Sequence, residues 1–376
     1  MNNSLAPTYE RQIGEHWVLW YSKSNSYSVV ESSFKNYLDS YLKAETIGDF
    51  KRDCNIDSLE VEAIASTINN YLKDCNISIA PSIDEHVSID TSYRNIIKQY
   101  FIKGKSINIY FCSEKVLKTI HPAIAHLEID TSNSAETIFD IYLKDEQLYL
   151  FKDQQLITKA AKKDYHLIQG KFIMQLLCNI HNNREGNWIS TFHGSTITDG
   201  KSSILFIGKS GKGKSTLCAL LAANGYNLLA DDVSPMLSKN KCIYHNPSAI
   251  SIKEGAFNLL QPLVDNFNAL PNIQFNKAKG LIKYLPCKNP KKDYYPSNTV
   301  VMVNYKSESE TILEDISVKT MLETLIPESW LSPNPLHARQ FLDWLETLNL
   351  YKLTYSDTDK VTLKISELFQ ELNKNL

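Results

Sequence analysis

The chain has 376 residues, 43% of them hydrophobic, and carries 40 Lys and Arg against 42 Asp and Glu, a formal net charge of -2. That near balance gives no global attraction to nucleic acid or an anionic membrane, and the length allows two domains with a sizeable core. Seven scattered cysteines without a CxxC pair argue against a disulfide framework or a zinc site and make the cytoplasm the expected compartment; no apolar run approaches the roughly 18 residues of a membrane span, and no signal-peptide pattern opens the chain.

Residues 1–80 read as a small separate module. Trp17-Val-Leu-Trp-Tyr21 and Tyr27-Ser-Val-Val30 flank the polar Ser22–Ser26, the pattern of a β-hairpin. Phe34, Tyr37, Leu38, Tyr41 and Leu42 then recur at helical spacing. Thr46-Ile-Gly-Asp49 and Asp57-Ser-Leu-Glu60 read as two capping-box starts, the second opening a helix with Ile64, Ile68 and Leu72 on one face. A hairpin with three helices predicts a winged-helix-like α+β unit. Its seven Lys or Arg against eleven Asp or Glu have the wrong sign for a nucleic-acid partner. The hairpin, the Phe34–Leu42 helix and Thr46-Ile-Gly-Asp-Phe50 resemble the PqqD-like peptide-recognition element. That resemblance implies a precursor peptide or small protein added as a strand to the sheet edge.

Periodicity is lost around residues 76–84, and Pro81 marks the expected domain boundary. Residues 81–185 read as a β-rich entry layer. Short β-like runs at Ser106–Phe111, Thr137–Tyr142 and Gln147–Phe151 suggest an antiparallel sheet, and Phe172–Ile180 a helix. His121, His126 and His166 lack metal-ligand spacing and read as ordinary residues. Asn187–Phe192 then forms a strand that ends at His193-Gly194.

The stretch Ser203–Gly225 organises the chain. Ser203–Ile207 is an apolar strand, and Gly208-Lys-Ser-Gly-Lys-Gly-Lys-Ser215 satisfies GxxxxGK[ST]. The segment Thr216–Ala223 is a Leu- and Ala-rich helix stopped by Asn224-Gly225. Glycines let backbone N–H groups converge on phosphate oxygens, and a helix N-terminus adds partial positive charge. Gly208, Lys209, Ser210, Gly211, Lys212, Gly213 and Thr216 belong to the cradle. Lys214 reaches the terminal phosphates, and Ser215 holds Mg²⁺. The next strand, Tyr226–Ala230, delivers Asp231 and Asp232. Consecutive strand residues face opposite ways, so one carboxylate can serve Mg²⁺ and the other can take a proton from an attacking hydroxyl.

The order of strand-His193, Gly208–Ser215 loop, helix and Gly225-Tyr-Asn-Leu-Leu-Ala-Asp-Asp232 resembles the HPr serine kinase/phosphorylase family. The resemblance implies an α/β fold: a P-loop core of mixed sheet and helices over residues 186–376, within a nucleotide-binding domain 81–376, preceded by the 1–80 module. It makes Asp231 the proton acceptor, His193 its orienting neighbour and Asp232 the metal-side carboxylate. Ile250–Gly255, Gly280–Pro286 and Tyr351–Asp357 extend it to divergent members, whose relatives include peptide-tailoring kinases. Lys253 and Lys283 in these segments become substrate-side cations. The later glycine-rich segment of the classical regulator and its arginine are not found, which points away from HPr as substrate.

The chain closes with a predicted strand at Thr299–Asn304, helices at Ser317–Leu325 and Pro335–Leu348, a strand at Leu350–Tyr355 and a helix at Val361–Leu372. The implied reaction is ATP- and Mg²⁺-dependent transfer of the γ-phosphate to a serine hydroxyl on a precursor peptide or small protein. Two rivals use the same residues: a kinase of a small molecule such as free serine, and a nucleotide-controlled peptide binder without transfer. An ABC-type ATPase is disfavoured because no LSGGQ-like segment follows the loop. The sequence leaves homo-oligomerisation open.

Overall fold

The structure is a computed structural model that describes residues 3–78, 87–130, 134–274 and 280–374. The boundary expected at Pro81 lies outside the described residues. The fold is mixed α/β, built from several packed sheets and ten α-helices among the described residues. None of the described helices is long and apolar enough to cross a membrane.

The chain begins with a three-stranded antiparallel meander, Tyr9–Ile13, His16–Tyr21 and Ser26–Glu31. Helices Ser32–Lys43, Ile47–Cys54 and Val61–Cys75 follow. The expected hairpin is the second and third strands. The first strand was missed because Tyr-Glu-Arg-Gln-Ile carries little apolar signal, although Tyr9 stacks on Trp20 at 5.7 Å. Thr46 and Asp49 form the expected capping box. Asp57 does not: its carboxylate accepts from Leu59 N–H in a turn, and the third helix starts only at Val61.

The central strand His16–Tyr21 is apolar without alternation because both of its faces are covered. Leu19 and Tyr21 pack on Leu38, Phe50, Ile68 and Leu72 of the module's own helices. Val18 and Trp20 instead join a core with Phe192, Phe341 and Trp344 from the second half of the chain. Tyr27 meets Phe341 edge to face at 5.1 Å, Arg11 pairs with Asp343 at 2.6 Å, and Asn25 Nδ2 donates to Leu331 O at 2.9 Å. The first unit is therefore seated on the helix Pro335–Leu345 through an apolar contact ringed by polar ones.

Residues 96–180 form a six-stranded sheet covered by helices Glu114–Ile124 and Tyr165–Ile180. The expected all-antiparallel layer is corrected in one place. Lys105–Phe111 and Thr137–Lys144 run parallel, because the helix Glu114–Ile124 carries the chain back across the sheet between them.

The remaining chain builds two larger sheets that share corners. One is six-stranded, in the order Asn227–Ala230, Ser195–Thr198, Ser203–Ile207, Thr299–Tyr305, Asn349–Tyr355, Ile312–Asp315, with its middle pairs parallel. Helices Lys214–Ala223 and Thr358–Lys374 bury one of its faces with Phe206, Leu217, Leu221, Val361 and Ile365. The other is five-stranded and antiparallel, in the order Tyr294–Pro296, Cys242–Tyr244, Val233–Leu237, Trp188–His193, Trp330–Leu331. The chain passes between these sheets twice at neighbouring points. His193-Gly194 links Trp188–His193 to Ser195–Thr198, and Asp231-Asp232 links Asn227–Ala230 to Val233–Leu237. A Cβ on Gly194 would stand 2.7 Å from Phe206 O, so this corner closes only around glycine.

Candidate active site

The phosphate-loop motif folds as its glycines require. Gly208 has φ 145°, and a Cβ there would lie 2.8 Å from Val303 O. Gly213 has φ 94° and is packed under Tyr305 and Tyr355. Both positions combine a left-handed backbone with a close neighbour, which excludes a side chain. Lys209, Ser210, Gly211 and Lys212 form an exposed rim, whereas Lys214 at the helix start is only 8% exposed. Its ammonium donates to Gly208 O at 2.5 Å. Burial pushes the Lys214 pKa down, opposed by the nearby carboxylates of Asp232, Asp231 and Glu328. A cation folded back onto its own loop and surrounded by carboxylates is available to a polyphosphate that enters the cradle.

The two adjacent aspartates have opposite environments. Asp231 is 2% exposed, and donors surround its carboxylate: Ser195 Oγ at 2.6 Å and Ser215 Oγ at 3.1 Å on Oδ1, Ser251 N–H at 3.0 Å on Oδ2. Its pKa is raised by burial and by the Asp232 charge, against the pull of those three hydrogen bonds. Asp232 takes a left-handed φ of 65°, which turns its side chain out of the corner to 66% exposure. There its Oδ1 lies 3.4 Å from His193 Nδ1.

His193 is therefore the neighbour of Asp232, and Asp231 the neighbour of Ser215. The expectation from resemblance paired them the other way. The positive φ at Asp232 is the reason, since it directs the second carboxylate, not the first, along the surface toward the His193 corner.

Lys253 joins this group, with its ammonium donating to Ser210 Oγ at 3.0 Å. Lys283 does not. It is 5% exposed, donates to Asn268 O at 3.3 Å and to Leu270 O, and lies over the rings of Phe257 and Phe267. Its charge is committed to a loop carbonyl cluster and is not directed at the phosphate cradle.

Three contributors were invisible to motif reading. Ser195 and the Ser251 N–H hold Asp231, and Glu328 Oε2 lies 3.0 Å from His193 Nε2. Nothing in the spacing of Pro327-Glu-Ser329 signals a site. Glu328 is delivered by the pairing of Trp330–Leu331 with Thr191 and Ser190.

Among the described residues no group of three or more His, Cys, Asp or Glu is placed to hold a metal ion. A hydroxyl and one carboxylate are nevertheless hard oxygen donors of the kind that hold Mg²⁺ beside phosphates, and Ser215 with Asp231 supplies that pair at the loop helix.

The chain defined by this fold is thus a mixed α/β protein with a glycine-rich loop opening a helix beside a two-aspartate corner. No family model and no curated protein matches it. Among solved structures it is similar to the Hpr(Ser) kinase/phosphatase from Coxiella burnetii, with 14% identity and a TM-score of 0.23 over 49% of this chain and 97% of that one. What the site can do is carried by its own side chains.

Proposed function

We propose that the chain is an ATP- and Mg²⁺-dependent kinase that phosphorylates a serine hydroxyl on a peptide or small protein. The observation that carries this reading is the division of labour at one corner: Asp231 is buried against Ser215, while Asp232 stands exposed beside His193. Phosphoryl transfer needs little covalent chemistry from the protein, so the chain's task is to position reactants and complement charge.

Loop amides, Lys214 and Lys253 bind the phosphate oxygens of ATP. Ser215 and Asp231 are the residues that would hold Mg²⁺, which when bound neutralises charge on the β- and γ-phosphates. Asp232, and not Asp231 as the resemblance implied, accepts the proton of the serine hydroxyl. The hydroxyl oxygen forms its bond to the γ-phosphorus as the bond from that phosphorus to the β–γ bridging oxygen breaks, and ADP leaves. His193 holds the Asp232 carboxylate in position.

Two features support a peptide acceptor. Among the described residues the strand Ser26–Glu31 is the last in its sheet, an edge of the kind that strand addition uses. The unit bearing that edge is seated on the core, which keeps a bound peptide within reach of a fixed site. Separating affinity from chemistry in this way lets a weak acceptor contact suffice.

The test is transfer from γ-labelled ATP with Mg²⁺ to serine-containing peptides and to free serine, with Lys214→Ala as control. Label on a peptide that disappears in Lys214→Ala supports the proposal. Label on free serine alone redirects it to a metabolite kinase, and tight ATP binding without transfer to any acceptor supports a nucleotide-controlled binder.

A further inference from the structure

The imidazole of His193 has a carboxylate at each nitrogen, and only Asp232 belongs to the loop neighbourhood that motif reading could identify. Glu328 is the other, 3.0 Å from Nε2, closer than Asp232 is to Nδ1 at 3.4 Å. Its position is built from the backbone outward. Ser329 Oγ accepts from the His193 N–H at 2.9 Å and donates to Leu325 O at 2.6 Å, tying the strand end to the helix Val318–Leu325. Immediately afterwards Trp330–Leu331 pairs with Thr191 and Ser190, and Ser332 N–H donates to Ile189 O at 2.9 Å. The segment carrying Glu328 is thus fastened along the whole His193 strand. Among the described residues no Lys or Arg forms an ion pair with Glu328, so the carboxylate is not explained by a surface salt bridge.

We infer that Glu328 is a positioning residue for the transfer reaction: its carboxylate, 3.0 Å from His193 Nε2, fixes the ring so that Nδ1 faces Asp232. A contact at one ring nitrogen fixes the orientation of the whole imidazole. Without Glu328 the ring is free to flip, which puts Cδ2 in place of Nδ1 opposite Asp232, and the carboxylate loses its fixed neighbour. This role rests on the kinase reading above, with Asp232 as proton acceptor.

The test uses the full chain with Glu328→Ala, Glu328→Gln, His193→Ala and the double variant. Outer partners of this kind typically contribute about 10- to 100-fold, so Glu328→Ala lowers kcat by about tenfold while the KM for ATP stays within about twofold. Glu328→Gln retains an acceptor oxygen and restores most of the rate. Adding Glu328→Ala to His193→Ala lowers the rate no further, since the effect passes through the ring. A full additional loss in the His193→Ala background, or a loss confined to the KM for ATP, overturns the inference.

A second readout does not need activity. The His193 ring signals seen by ¹⁵N–¹H NMR stay near their wild-type positions in Glu328→Gln and shift in Glu328→Ala. If those signals follow Glu328 but the protein transfers no phosphate, the kinase reading fails and the contact stands. If the signals ignore Glu328→Ala, the inference fails even in an active kinase.

Discussion

Replacing Asp232 by Asn isolates the proton-accepting role from everything structural. Asp232 sits at φ 65°, a left-handed conformation that Asn adopts at least as readily as Asp, so the backbone is not strained. Its side chain is 66% exposed and its close contact is the His193 ring, so stability changes by less than about 0.5 kcal/mol, as for surface substitutions in general. A carboxamide cannot take the hydroxyl proton, and losing a positioned base costs about 10²–10⁴ in rate, or about 2.7–5.5 kcal/mol of barrier. Asp231→Asn acts elsewhere. The carboxylate accepts from two hydroxyls and one backbone N–H, and only the hydroxyls can rotate to suit an amide. Its main effect is weaker Mg²⁺-dependent nucleotide affinity. Single-turnover transfer and titration with a fluorescent nucleotide, with and without Mg²⁺, separate the two. If Asp232→Asn keeps its rate within threefold while Asp231→Asn loses transfer with nucleotide affinity intact, the assignment is reversed.

Three further outcomes follow from particular residues. The His181 pKa is pushed down to about 4 and that of His245 to about 3, by burial and then by the Lys103 ammonium; the unfolded chain takes up protons near pH 6.5 that the folded one refuses, so stability is full above that pH and drops by about 1.4 kcal/mol per histidine at pH 5.5, measured by denaturant melts at pH 7.5 and 5.5 with His245→Asn roughly halving the difference. Gly208→Ala must place a Cβ 2.8 Å from Val303 O at a φ of 145°, whereas a Cβ on Gly211 meets nothing within 4 Å; thermal melts and ATP titration should show a loss of about 2–4 kcal/mol and of nucleotide affinity for the first and about 1 kcal/mol for the second. Lys283→Met leaves the carbonyls of Asn268 and Leu270 without their buried donor and costs about 1–3 kcal/mol of stability with ATP affinity unchanged, while Lys253→Met weakens ATP binding without lowering the melting temperature.

What the sequence disclosed and what it concealed divide along contact range. The glycine loop, the helix after it and the Asp231-Asp232 pair are contiguous, so type and spacing suffice to read them. The module's strand His16–Tyr21 was legible as a strand, and its unbroken apolar run reflects burial on both faces. The residues that cover its second face, Phe341 and Trp344, lie in a distant helix that no local pattern connects to it. Glu328 reaches His193 through the same kind of distant pairing.

The two aspartates and the two lysines show why even named residues were placed incompletely. Alternation along a strand correctly separates Asp231 from Asp232, but which one turns inward depends on the φ of 65° at the second, a property of the corner. For the lysines the deciding quantity is register. Lys253 stands opposite Ile282, and Ile252 opposite Lys283. Partners opposite each other in an antiparallel pair share a face, while neighbours along a strand do not. Lys253 and Lys283 must therefore point to opposite sides of the three-stranded sheet formed by Ile250–Lys253, Leu281–Leu285 and Ile273–Gln274, and only one of them can meet the phosphate loop. A one-residue slip would put both on the same face. The observed register sends Lys253 to Ser210 and commits Lys283 to the Asn268–Leu270 carbonyls, so the choice between the two cations was made by strand pairing across a gap that composition and motif do not span.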